Sequence, residues 1–357
     1  VGGTKIWNRE TNGTWTDTGI TLPANAQKGA VGVFGGKLVI GFGSAATAKY
    51  TANLTTILDV QNTTPANIYV WAFTADRAAS YVAGGPATTD GYKVLSSATG
   101  SSYDNGSSVT CGTQDTLITA LAPGGAVDIV FVGKETELGA INNSGIYVIL
   151  VPLDSKLSTN CNPMRWFLGA GGAEQRGAVI LTFGRDRSHW AYAASSEHAG
   201  QAENISPWSE PMIRPLNIRG RTTAIQGSAR WLYAAIRNGG GSSWILARDA
   251  RTGRWHPILG LGVNNCETLG ITSLFGTNPL LFIGKGTSIV SVILPLDGEA
   301  PTDDPASRYA ATGTIDWPDI DLGFPDEEKI AFVVRTVSAD LVPNAQYYKL
   351  YISTDGG

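Results

Sequence analysis

The sequence is short of charge. Asp, Glu, Lys and Arg make up 16% of its 357 residues, against roughly 25% in an ordinary globular protein. The net charge is −4. That balance argues against a nucleic-acid partner, which asks for a basic face. No apolar run reaches the roughly 18 residues of a spanning helix, so no membrane insertion is expected. No capped run of helical period stands out either. The chain lacks GxxxxGK[ST], GxSxG and HExxH, so neither a phosphate loop, a nucleophile elbow nor a zinc helix is expected. Cysteine is scarce: Cys111, Cys161 and Cys266 show no CxxC spacing and no neighbouring His pair. They read as small apolar side chains, with a disulfide between two of them as the alternative. No cofactor and no metal are expected.

Glycine is abundant instead, 44 residues, or well above the usual ~7%. Ten tryptophans and 43% hydrophobic residues provide for a full core. High Gly, Ser, Thr and Asn with little charge point to many short strands joined by turns.

The strands recur. "IWNRETNGTW" (Ile6 to Trp15) is echoed by "LARDARTGRW" (Leu246 to Trp255), 240 residues later. "PLDSKLSTNCNPMRW" (Pro152 to Trp166) resembles "PLDGEAPTDDPASRY" (Pro295 to Tyr309) at an offset of 143. Both offsets are whole multiples of about 48. Six segments read as apolar strand, tight turn, apolar strand, starting near 30, 71, 118, 177, 223 and 271. Their turns carry Gly-Gly, Pro-Gly-Gly or Gly-Ser, which supply the positive φ of hairpins. A unit of 40 to 50 residues with four short strands is the mark of a β-propeller. One blade cannot bury both of its faces, so blades stack around an axis. Six or seven blades over residues 1–313 are expected. Gly13, Trp15 and Gly253 belong to outer hairpins, with residues 5–20 as a candidate closure of the ring. Asp154 with Arg165, and Asp297 with Arg308, keep equal spacing at equivalent places. They are expected to be structural, each Arg reaching its Asp or nearby carbonyls. Trp166, Trp208, Trp244 and Trp255 are candidates for a binding rim.

The densest polar stretch is "GRDRSHWAYAASSEHAG", from Gly184 to Gly200. An active-site reading would use a histidine, His189 or His198, as a base with a carboxylate, Asp186 or Glu197, as its partner. Strand alternation puts Arg185, Arg187 and His189 on one face and Asp186 on the other, which favours an ordinary charged hairpin.

Near Gly313 the texture changes. "TIDWPDIDLGFPDEEKIAFVVRTVSADLVPNAQYYKLYISTDGG" has an acidic lead and then alternating strands. A β-sandwich-like domain is expected to begin at 314, and the chain reads as a segment of a longer one. Trp317, Asp319, Asp321, Leu322, Gly323, Phe324, Pro325, Lys329, Arg335, Ala339, Asp340, Leu341 and Asp355 to Gly357 make this part similar to tail-associated propeller proteins of tailed bacteriophages. The resemblance implies a virion component of structural or adhesive role and localisation on the tail. Its partners would be other tail proteins, several copies around the tail axis and a host surface glycan or receptor. It carries no catalytic residues. The alternatives are a sialidase-like glycan-processing propeller, which would need an arginine cluster and a Tyr–Glu pair, and a carbohydrate-binding propeller.

Overall fold

The structure, a computed structural model, describes residues 3–61, 72–75, 79–84, 90–103, 108–124, 129–167, 177–184, 188–193, 201–209, 218–228, 230–238, 241–273 and 278–294. The chain is an all-β propeller of six blades, each an antiparallel meander in chain order. Blade one holds β3 (Val31–Phe34), β4 (Lys37–Ile40), β5 (Lys49–Thr51) and β6 (Leu58–Asp59). Blade two holds β7 (Ala72–Ala75), β8 (Ser80–Ala83), β9 (Lys93–Ser97) and β10 (Val109–Thr110). Blade three holds β11 (Ile118–Pro123), β12 (Val130–Lys134), β13 (Glu137–Ile141) and β14 (Tyr147–Pro152). Blade four holds β15 (Met164–Phe167), β16 (Ala178–Phe183), β17 (Ser188–Ala193) and β18 (Gln201–Asn204). Blade five holds β19 (Gly220–Gly227), β20 (Trp231–Asn238), β21 (Ser243–Asp249) and β22 (Trp255–Gly262). Blade six has three strands, β23 (Cys266–Thr272), β24 (Leu280–Lys285) and β25 (Ser288–Ile293). A separate hairpin, β1 (Lys5–Arg9) and β2 (Trp15–Thr21), precedes them. Among the described residues there is no α-helix.

Strand alternation builds the core. In β12, Val130 and Val132 face the cluster shared with blade two. Phe131, between them, faces the cluster shared with blade four. A blade's second strand is therefore apolar on both faces, and each fully buried side chain contributes roughly 1.5–3 kcal/mol. Similar clusters fill the wedges between blades one and two, four and five, and five and six. The innermost strands β3, β7, β11, β15, β19 and β23 neighbour one another in sequence around the axis.

The N-terminal hairpin forms no ladder with β25. It is wedged between blades instead. Ile6 and Ile20 pack with Ile40 and Phe42 of the blade-one side. On the other side Trp15 meets Phe282 of blade six edge-on, 6.1 Å between centroids, and the Arg9 guanidinium lies 5.2 Å over the same ring. Lys28, just before blade one, donates to the Thr223 carbonyl of blade five and pairs with Glu267 of blade six at 3.1 Å. Contacts across some 200 residues of chain thus bring the two ends of the ring together.

One expectation changes. The strong apolar run from Gly177 does not start blade four. It supplies that blade's second and third strands, and the innermost strand is Met164–Phe167. A middle strand buried on both faces looks as apolar as an innermost one, so the run misled by its strength. The cysteines are all free and buried, and burial pushes the Cys111 and Cys161 thiols up to about 12.

The chain divides into a unit Val1–Tyr309 and a unit Ala310–Gly357. The described residues belong to the first. The β-sandwich-like start expected over 314–357, with Asp297 and Arg308, lies outside them.

Candidate functional site

In an antiparallel meander the turns between second and third strands open on the same face as the connections between blades. That face carries a cleft between blades three and four. Leu153, Asp154 and Ser155 border it from the blade-three-to-four connection, with Asn160 behind them. Phe183 and Gly184, at the turn after β16, and Trp190 on β17 form the opposite wall. The cleft measures about 230 Å³. A small apolar void of about 10 Å³ beside it, lined by Leu138, Val151 and Leu181, shares Leu153, Phe183 and Trp190 with the cleft.

The wall is aromatic. The rings of Phe183 and Trp190 stack at 5.0 Å between centroids with 21° between planes. The Trp190 Nε1 is buried without a hydrogen-bond partner, so the indole is held by its faces. The connection opposite is fixed by Asn160, which is 1% exposed. Its Nδ2 donates to the carbonyls of Glu135 and Ser155, each at 2.7 Å. Its Oδ1 accepts the Gly184 N–H at 3.0 Å. One amide thus ties the two sides of the cleft to each other. Asp154 makes no hydrogen bond or ion pair among the described residues. An unpaired carboxylate thus shares the cleft with two aromatic rings stacked on each other.

The expected rim tryptophans scatter. Trp255 is 1% exposed and lies in the wedge between blades four and five, where its Nε1 donates to the Ile205 carbonyl at 2.6 Å. It is core, not rim: it opens β22 on the strand's inward face. Trp166 stacks on Phe131 at 5.9 Å and belongs to the wedge between blades three and four. Trp208 sits in a short 3-10 turn, Pro207–Ser209, edge-on to His189 at 5.7 Å. Trp244 is half-buried and covers Gly260, where an added Cβ would lie 3.4 Å from the indole. Trp190, the residue that lines the cleft, was not among the four. Its signal was present in the alternation: His189 points inward, so its neighbour faces the other wedge.

The Asp154–Arg165 ion pair does not form. Arg165 is exposed on β15, opposite Ile180, and no carboxylate is paired with it among the described residues. The spacing of Asp154 and Arg165 therefore marks no contact between them. Arg185, Asp186, Arg187, Glu197 and His198 lie outside the described residues.

His189 is no solvent-facing base. It is fully buried between the rings of Trp208 and Trp255, with Nε2 at 2.6 Å from Thr222 Oγ1. Burial pushes its pKa down to about 3, so it is neutral at ordinary pH.

A second polar cluster lies in the wedge between blades two and three. Lys134, fully buried, donates to the carbonyls of Cys111 and Thr113 and sits 3.9 Å from Glu137. The Tyr147 hydroxyl donates to Glu137 Oε1 at 2.8 Å. Desolvation lowers the Lys134 pKa and raises that of Tyr147. The group staples blades together: Lys134 satisfies carbonyls that would otherwise be buried unpaired. Among the described residues no three His, Cys, Asp or Glu side chains are placed to hold a metal ion.

No family model and no curated protein matches this chain. Solved structures resemble it in fold. One is the extracellular domain of a proposed one component system from B. thetaiotaomicron, with a TM-score of 0.53 and 10% identity. The likeness covers 86% of this chain but only 36% of that one. Another is the WD40 domain of Neurospora crassa Pan2, with a TM-score of 0.48, 8% identity, and coverage of 75% and 78%.

Proposed function

We propose that this protein is a tail-associated component of a phage virion that attaches to the host surface by binding a glycan, without catalysis. The cleft between blades three and four carries this reading. A stacked aromatic wall opposite an unpaired carboxylate and a hydroxyl is the combination that grips a sugar: apolar C–H groups lie on the rings while hydroxyls meet polar acceptors. The cleft opens among the connections of the propeller, where a rigid scaffold presents loops. The phage-like residues from Trp317 to Gly357 supply the virion context, with neighbouring tail proteins and further copies of the chain around the tail axis as partners.

Binding of the purified chain to surface polysaccharides from a panel of bacterial strains tests the proposal. Saturable binding to some strains, with the polysaccharide recovered at its original length, is expected. Depolymerisation of the bound polysaccharide, or no binding across strains infected by phages encoding the chain, would overturn it.

A further inference from the structure

The outer edge of blade six differs from those of the other five blades. We propose that it pairs with the same edge of a second copy of this chain, β25 to β25, antiparallel about a twofold axis at Ser291. The pairing is independent of the glycan reading and uses a different part of the molecule.

A sheet's outer edge is a row of unpaired N–H and C=O groups that invites another strand. Proteins blunt such edges with short strands, charge, proline or bulges. Five blades do so. The outermost strands β6 and β10 are two residues long. β18 is four residues long and carries the exposed Glu203. β22 contains Pro257 and is broken by two register shifts. β14 has one such shift and ends on Pro152. β25 has none of these devices. It runs for six residues in unbroken register with β24, without charge or proline. No other strand is hydrogen-bonded to it among the described residues.

The Leu294 N–H donates to the Pro279 carbonyl at 2.8 Å. In an antiparallel ladder hydrogen-bonded pairs alternate with non-bonded ones. Ser288, Val290 and Val292 therefore bond inward to β24, and Ile289, Ser291 and Ile293 turn their N–H and C=O groups outward. The Val290 and Val292 side chains pack into the wedge with blade five. Ile289 and Ile293 stand on the opposite face, 51% and 43% exposed.

The sequence selects the occupant. Residues 289–293 read Ile-Val-Ser-Val-Ile, the same in both directions. A second copy laid antiparallel, serine opposite serine, sets Ile289 against Ile293 and Val290 against Val292. All three outward-facing residues then form hydrogen-bonded pairs, and each pair exchanges two bonds. The axis stands normal to the sheet, so the isoleucines of both copies share one face and cover each other. No charge is buried. Such an isologous contact closes at two copies. A six-residue seam falls below the roughly 1,200 Å² of stable interfaces, so the pair should come apart on dilution.

The test is sedimentation velocity of the whole chain from roughly 1 to 500 μM, a range that brackets weak association, with hydrogen exchange read at the same concentrations. A reversible monomer–dimer equilibrium is expected, and exchange at Ile289, Ser291 and Ile293 should slow as the concentration rises. Ser291→Pro removes an outward N–H and no bond to β24. It should weaken association about tenfold or more and leave the melting temperature nearly unchanged. Ile289→Lys with Ile293→Lys sets like charges opposite each other across the seam, and so does Ile289→Glu with Ile293→Glu. Each double variant alone should be monomeric, and an equimolar mixture of the two should associate again. A native chain that stays monomeric throughout overturns the proposal. Fast exchange at the three amides would then leave the edge open, and slow exchange at every concentration would assign it to a strand of the same chain. Association that survives Ser291→Pro overturns the proposal too, as do charged variants that keep their melting transitions and yet fail to recombine.

Discussion

The protein makes the same hairpin twice and uses it in opposite ways. Arg9 pairs across from Trp15 in the N-terminal hairpin, and Arg248 pairs across from Trp255 in blade five. Each turn is made by a glycine with positive φ, Gly13 at 90° and Gly253 at 69°. The second turn is one residue longer: Gly13 N–H donates to the Glu10 carbonyl three residues back, Gly253 N–H to the Asp249 carbonyl four back. Yet Trp15 is 40% exposed and Trp255 is 1% exposed. The first lies on the edge of Phe282, in a hairpin with no further strands of its own sheet. The second is the last strand's contribution to a full wedge, with His189 on one side and the Ile205 carbonyl at its nitrogen. A hairpin's sequence sets its turn and its register. Whether its tryptophan becomes core depends on what the neighbouring blade puts against it.

The widest gap between the copies should appear on truncation. Trp255→Ala removes a sealed indole and leaves the Ile205 carbonyl without its donor, at a cost of about 3–5 kcal/mol. Urea unfolding followed by circular dichroism measures it. A loss no larger than that for Trp15 would break the comparison.

Acid should expose the same wedge. The folded pKa of His189, about 3, lies below its usual unfolded value of roughly 6.5. Between these values the unfolded chain takes up a proton that the folded chain refuses. Stability from this group is therefore complete above about pH 6.5 and falls as the pH drops towards 3, by on the order of 1 kcal/mol per pH unit. His189→Gln should flatten that limb of a plot of stability against pH. An unchanged slope would mean that the imidazole titrates freely.

The turns should respond alike where the tryptophans do not. Gly13→Ala and Gly253→Ala each force a side chain into the left-handed region, at about 1 kcal/mol. Thermal melts of the two variants should shift by similar amounts. Trp15→Ala is expected to cost less than Trp255→Ala, since the indole is 40% exposed and gives up one edge-on contact worth about 0.5–1.5 kcal/mol beyond the apolar area it covers. A larger loss would show that the hairpin holds the ring closed through that contact alone.

Much of this architecture was legible in the residues. The repeat near 48 residues and five of the six innermost hairpins stand in the structure where alternation and turn glycines put them. Blade four was framed one strand late because "AVILTF" is buried on both faces and reads like a channel strand. The site was less legible. Asp154 was singled out, but for a bond to Arg165 that does not form. Trp190 lies in a stretch dense in charged residues, with only strand alternation to mark its face. Trp255 opens β22 and Trp244 is the second residue of β21, and strand ends offer both inward and outward faces.

The division has a physical cause. Turn chemistry, strand period and the apolar face of each strand are properties of neighbours in the chain, so the sequence by itself determined a ring of small antiparallel sheets. Burial of Trp255, exposure of Trp15, the neutrality of His189 and the cleft beside Asp154 depend on groups tens to hundreds of residues away. Only the stacking of one blade on the next brought those groups together, and so only the tertiary structure decided which tryptophan seals a wedge and which one lines an opening.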